Sequence, residues 1–201
     1  MSQLPIGFLG SGMREPDTAD ETFSMAGAYD LSGVTAEDFL SGRQQPNPYY
    51  LLYLLAAYQD VYHFADALPD LLAAPYDATL PPLLARRASS DEINAAMPSD
   101  PALVLKPEVL ASFQSDPNHP LHVALRDNDL YAWSPAAPMR LFHCLGDQDV
   151  PFANSETALA SFHALGAAQV ELIDPQPSAD HGDCALPSFL QVKAWFDSLR
   201  Q

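Results

Sequence analysis

The 201 residues suffice for one domain with a real core, and a hydrophobic content of 48% marks a globular chain rather than a disordered one. Against 26 acidic residues stand 9 basic ones, a formal net charge of −17, with Lys106 and Lys193 the only lysines. Such a surface repels phosphate backbones and anionic lipid, which argues against nucleic-acid and membrane-surface binding.

No stretch approaches the roughly 20 apolar residues of a membrane span. The N-terminus shows no basic-then-apolar signal, so nothing in these residues is expected to direct export, and the cellular location stays unassigned. Cys144 and Cys184 lack C-x-x-C spacing and suggest neither zinc nor a thioredoxin motif; no metal and no cofactor are expected.

Residues 1–22 are rich in Gly, Asp and Thr and show no sustained period, so they read as an irregular segment. The glycine cluster from Gly7 to Gly12 reads as loop rather than a phosphate cradle, because no clear strand leads in and no clear helix leads out. A strand-like run then begins near Thr22 and ends at Asp30.

From about 36 to 135 the chain is punctuated by prolines and helical in pieces. "NPYYLLYLLAAYQDVYHF" places Asn47 and Pro48 as cap and first turn, then sets apolar residues on almost every side. A helix of that kind is buried or lines an apolar pocket, such as one for an acyl chain. "DALPDLLAAPY", "ATLPPLLARR" and "KPEVLASFQSD" read as further short helices separated by prolines.

The last third has a plainer grammar. "MRLFHCL" (139–145) is a near-continuous apolar run of strand length, as expected of a strand covered on both faces. "SETALASFHALG" follows, with Ala158, Leu159, Phe162 and Leu165 on one helical face and Gly166 as C-cap. "QVELID" (169–174) is a second strand; a polar loop with His181 leads to a helix striped by Phe189, Val192, Phe196 and Leu199. Strand, helix, strand, loop, helix is the pattern of a parallel α/β sheet with flanking helices.

Functional groups of such sheets gather beyond the C-terminal strand ends. Asp147 lies just past the first late strand and His181 just past the second. Emerging on one edge, the carboxylate could accept a hydrogen bond from the imidazole and stabilise its protonated form.

The runs "PMRLFHCLGDQDVPFANSE", "DHGDC" and "AWFDSL" resemble the C-terminal third of an α/β-hydrolase, and the likeness extends over roughly residues 24–200. It points to the bacterial secretory-lipase and esterase-like members. The resemblance implies a partial α/β-hydrolase fold over 23–201, with a helical cap-like insertion at 36–135 and an acid- and base-bearing segment at 139–200. In that family the acid sits in a D-x-x-V-P turn, here Asp147 to Pro151, and the base follows the last strand, here His181. Asp149 competes for the acid role, but the spacing selects Asp147. Asp180 is expected to shape the His181 loop, and His143 to be a hydrogen-bonded core histidine. His63, His119, His122 and His163 have no motif around them. If the acid and base loops touch, Cys144 and Cys184 would come close enough for a disulfide, which requires a Cα separation of roughly 4.4–6.8 Å.

The nucleophile is missing. The family needs a serine on a G-x-S-x-G elbow ahead of the acid, and the sequence contains none. Ser11 in "LGSGM" has its glycines directly beside it, and neither Ser24 nor Ser32 has an elbow. The expectation is therefore an ester hydrolase by descent, truncated and inactive alone, taking a small-molecule ester if active. Self-association or a complementing N-terminal half would cover its open sheet edge. Two alternatives stand beside it: a non-catalytic or partner-dependent module, and a serine peptidase of prolyl-oligopeptidase type.

Overall fold

In a computed structural model that describes residues 10–11 and 21–199, three short strands form a parallel sheet. They are β2 (Thr22–Met25), β3 (Met139–Phe142) and β4 (Val170–Ile173), with Thr22 opposite Met139 and Met139 opposite Val170. A two-residue strand β1 (Gly10–Ser11) runs antiparallel to β2, giving the order β1-β2-β3-β4. It falls inside the glycine cluster expected to be loop; the remainder of that cluster lies outside the described residues.

The strands are shorter than their apolar runs suggest. β2 stops at Met25 because Ala26 takes a left-handed φ of 44°, which no strand accommodates. β3 gives way after Phe142, although the His143 amide still donates to the Ile173 carbonyl at 3.0 Å.

Both faces of β3 are covered, which is why three of its four residues are apolar; the fourth, Arg140, is half-buried. Met139 and Leu141 pack with Val170 against Ala158 and Phe162 of α7 (Ala153–Ala164). Phe142 points the other way, meeting Phe23 and Val192, the latter on α8 (Ala185–Ser198), with Trp195 and Phe196 alongside. Two expected stripe positions, Phe189 on α8 and Leu199 just past its end, are exposed instead; Ser188 is buried one residue before Phe189. Leu165 is likewise exposed after α7, where Gly166 reverses the chain with a φ of +94°.

The chain divides into two compact units. One comprises the described residues up to Thr35 and from Asp129 onward, and carries the sheet with α7 and α8. Its two chain crossings are fastened together: the Ser32 amide and hydroxyl both donate to the Asp129 carboxylate, at 3.0 and 2.6 Å. The Leu130 amide also donates to the Tyr29 carbonyl at 2.8 Å.

The second unit, Ala36–Asn128, is helical. It holds α1 (Ala36–Leu40), α2 (Tyr49–Tyr62), α3 (Tyr76–Ala85), α4 (Ser90–Ala96), α5 (Pro107–Ser115) and α6 (Pro120–Arg126). Leu52, Leu55, Leu72, Leu80, Ile93 and Val104 make up its fully buried centre. Apolar residues surround α2, yet only one side is buried: Leu51, Leu52, Leu55 and Gln59 face inward, whereas Tyr53, Val61 and Tyr62 are exposed. Its cap also differs from expectation. The Tyr49 amide is taken by the side chain of Asn94 on α4 at 3.0 Å, and the side chain of Asn47 binds Asn94 instead. Pro81 and Pro82 lie inside α3 rather than breaking the chain; each removes a backbone donor, but the fixed φ of proline is itself helical. Among the described residues no helix is long and apolar enough to cross a membrane.

Candidate active site

The site is built at the C-terminal ends of β3 and β4 by two loops that touch. Residues 143–152 leave β3, and residues 174–184 leave β4. Asp147 turns the first loop on itself: its Oδ1 accepts from the amides of Asp149 and Val150, each at 2.9 Å. Its Oδ2 then faces the second loop and accepts from His181 Nδ1 at 2.7 Å. The Asp147 side chain is fully buried, and that of His181 is 33% exposed.

Three further features hold the loops together. Cys144 and Cys184 form a disulfide with a Cα separation of 5.8 Å, within the range such a bond requires. Gly146 approaches the opposite backbone so closely that a Cβ there would meet the Ala179 carbonyl oxygen at 2.8 Å. The Leu145 amide lies 3.4 Å from Asp174 Oδ2, a long contact that adds little.

Asp180 shapes the base loop locally, its Oδ1 accepting from the Asp183 amide at 2.8 Å and its carbonyl from the Cys184 amide at 2.9 Å. Asp149 supplies its amide to Asp147, and the side chain bonded to His181 Nδ1 at 2.7 Å is that of Asp147. His143 has both ring nitrogens engaged, with Ser155 Oγ at 2.7 Å and the Val150 carbonyl at 2.9 Å. Its Nε2 also lies 3.3 Å from Asp147 Oδ2, a proximity that no sequence motif signals. His163 binds the Val170 carbonyl, His119 accepts from the Leu121 amide, and His63 closes α2.

The electrostatics follow from this packing. Burial pushes the Asp147 carboxyl up, but donors on both oxygens, from His143, His181 and Val150, more than offset it and hold the group well below the usual carboxylate range. His181 is raised above its ordinary value chiefly by its bond to Asp147. Desolvation opposes the rise, and the charges of Asp147, Asp149 and Asp180 add to it. An imidazole whose Nδ1 is held by a buried carboxylate can take a proton at Nε2 and keep the resulting charge stabilised.

Neither Ser24 nor Ser32 belongs to this constellation. Ser24 is buried within β2, and Ser32 is tied to Asp129. Of Ser11, only its place in β1 is described. Among the described residues no group of three or more His, Cys, Asp or Glu side chains is arranged to hold a metal ion. A shallow hollow of about 330 Å³, lined by Met139, Arg140, Glu171 and Trp195, opens where β3 and β4 begin, remote from the pair. Arg140 fills its polar needs there by pairing with Glu171 and stacking over Trp195.

A parallel sheet with helices on both faces has solved counterparts. The chain is similar to the rice cell-wall-degrading esterase LipA of Xanthomonas oryzae, with 26% identity and a TM-score of 0.67 over 82% of this chain and 44% of that one. It is also similar to a Legionella pneumophila protein assigned as a hydrolase, with 25% identity and a TM-score of 0.73 over 88% of this chain and 47% of that one. No protein-family model and no curated protein matches. The fold is therefore α/β and α/β-hydrolase-like. The chain carries part of that fold, of the esterase-like kind, and spans less than half the length of these relatives.

Proposed function

We propose that this chain supplies the acid and the base of a serine ester hydrolase of lipase or carboxylesterase type. The observation that carries the reading is the 2.7 Å bond from His181 Nδ1 to the buried Asp147 carboxylate. Asp147 would fix the imidazole tautomer. His181 Nε2 would take the proton of a serine hydroxyl as it attacks the ester carbonyl, then return it to the departing alcohol. A deacylating water would use the same base.

The serine is the open part of this reading. No G-x-S-x-G occurs in the 201 residues, so the chain by itself is expected to be inactive. The nucleophile would come from other residues, on a longer polypeptide or on a partner. The helical unit 36–128 stands in the chain between β2 and β3, which is where the resemblance puts a cap, and we assign it that role.

A serine-directed fluorophosphonate probe tests the proposal. The purified chain should not label, and DNA upstream of Met1 or a partner gene should encode an elbow serine. That serine should label when combined with this chain and lose labelling with His181→Ala. Labelling of a serine within the purified chain would contradict its expected inactivity. Turnover of a p-nitrophenyl ester in preference to a peptide amide by the combined protein separates the ester reading from the peptidase one.

A further inference from the structure

His143 occupies the first position after β3, directly following Leu141 and Phe142, which with Met139 are apolar and nearly inaccessible. Its ring is fully buried, and Phe152 covers it with ring centroids 5.4 Å apart. An imidazole in such a place costs stability unless both nitrogens find partners, and an apolar side chain would carry no such demand. The position holds a histidine, and its partners all belong to the elements that present Asp147.

The donor assignments follow from chemistry. The Val150 carbonyl, 2.9 Å from Nε2, can only accept, so Nε2 carries the hydrogen. Asp147 Oδ2 lies 3.3 Å from the same nitrogen, so this N–H serves both oxygens, the carbonyl more closely. In the neutral ring Nδ1 is then left to accept from the Ser155 hydroxyl at 2.7 Å. Ser155 lies in the first turn of α7 and is itself almost inaccessible. A continuous buried path therefore runs from α7 through Ser155 and His143 to both ends of the acid turn, Asp147 and Val150. The same Oδ2 that receives His181 at 2.7 Å also has His143 Nε2 at 3.3 Å.

We infer that His143 is a positioning residue for the acid–base pair: it sets the direction of the Asp147 carboxylate, and thereby the strength of the bond to His181. The inference rests on reading Asp147 and His181 as acid and base. Other groups bear on the same atoms and would remain when His143 is changed. The Asp149 and Val150 amides hold Oδ1, and the Asp149 and Asp180 carboxylates add to the field at His181. Loss of His143 would thus leave Asp147 charged and turned, not released.

The test is an NMR titration of the His181 ring in the full 201-residue chain, which needs no catalytic activity. His143→Leu is expected to lower the His181 pKa by at least half the drop produced by Asp147→Asn. It should also weaken the downfield Nδ1–H resonance that a bond to a carboxylate creates. His143→Gln, whose amide can donate from nearly the same place, should restore most of the wild-type value. Ser155→Ala should give a smaller drop in the same direction, and it decides the matter if His143→Leu does not fold. An unchanged His181 pKa in folded His143→Leu overturns the inference, as does an unchanged value in Ser155→Ala where the leucine variant is unfolded. Failure of the acid–base reading itself shows separately, as no drop in Asp147→Asn, and the inference falls with it.

Discussion

Gly146 lies against the backbone of the facing loop, where a Cβ would stand 2.8 Å from the Ala179 carbonyl oxygen. The obstacle is main chain, with the Pro177 carbonyl at 3.0 Å beside it, so no side-chain rotation relieves it. Gly146→Ala must therefore push the acid and base loops apart. We expect a loss of about 1–3 kcal/mol, the usual cost of overpacking, read as a lower urea midpoint at unchanged m-value. A midpoint equal to wild type would contradict the close approach.

The Cys144–Cys184 bond closes a 40-residue separation around the same loops. Chain-entropy arguments assign a closure of that length about 4 kcal/mol through the unfolded state. Cys144→Ala/Cys184→Ala, or reduction, should lower the unfolding free energy by about 2–4 kcal/mol. Equal stability of oxidised and reduced protein would remove the bond from this role.

The pair also makes stability depend on pH. His181 is raised in the folded state by its bond to Asp147, so its contribution is complete below the unfolded value of about 6.5 and is lost as pH rises through the higher folded value. Asp147 behaves oppositely: its folded pKa is depressed, so its contribution is present at neutral pH and disappears only on strong acidification. Urea midpoints collected from about pH 6 to about pH 9 should fall across the His181 window. His181→Gln should flatten that fall, and an unchanged slope in this variant would contradict the assignment.

Once a nucleophile is present, Asp147→Asn should cut kcat severely. In the well-studied serine-protease triad the corresponding change costs on the order of 10⁴-fold, because the wrong imidazole tautomer is favoured. Asp149→Asn should cost little, since what Asp149 gives the acid is its backbone amide. Steady-state ester hydrolysis by the two variants checks both statements, and full activity in Asp147→Asn would refute the first.

Much of the sheet was legible because a parallel strand covered on both faces is mostly apolar, as β3 is at Met139 and Leu141–Phe142, with Arg140 the half-buried exception. Strand order put Asp147 and His181 at matching strand ends, and the D-x-x-V-P spacing of the resembled family chose Asp147 over Asp149. Element ends were harder to read. Ala26 carries no marker of its left-handed backbone, and the exposed Phe189 and Leu199 are indistinguishable by type from the buried Val192. The polar contacts were harder still. His143 is separated from Asp147 by the four-residue step of a helix, yet the segment between them is a strand end and a turn. No periodicity rule brings such residues together; the turn at Asp147 does. The Asn94 cap on α2 was hidden for a similar reason, since it comes from 45 residues away.

The most direct test of the central claim is the His181 titration in Asp147→Asn and Asp149→Asn side by side. The account predicts a raised His181 pKa in the wild type, a clear drop in Asp147→Asn and only a small change in Asp149→Asn. A larger drop in Asp149→Asn, or none in Asp147→Asn, would contradict Asp147 as the partner of His181.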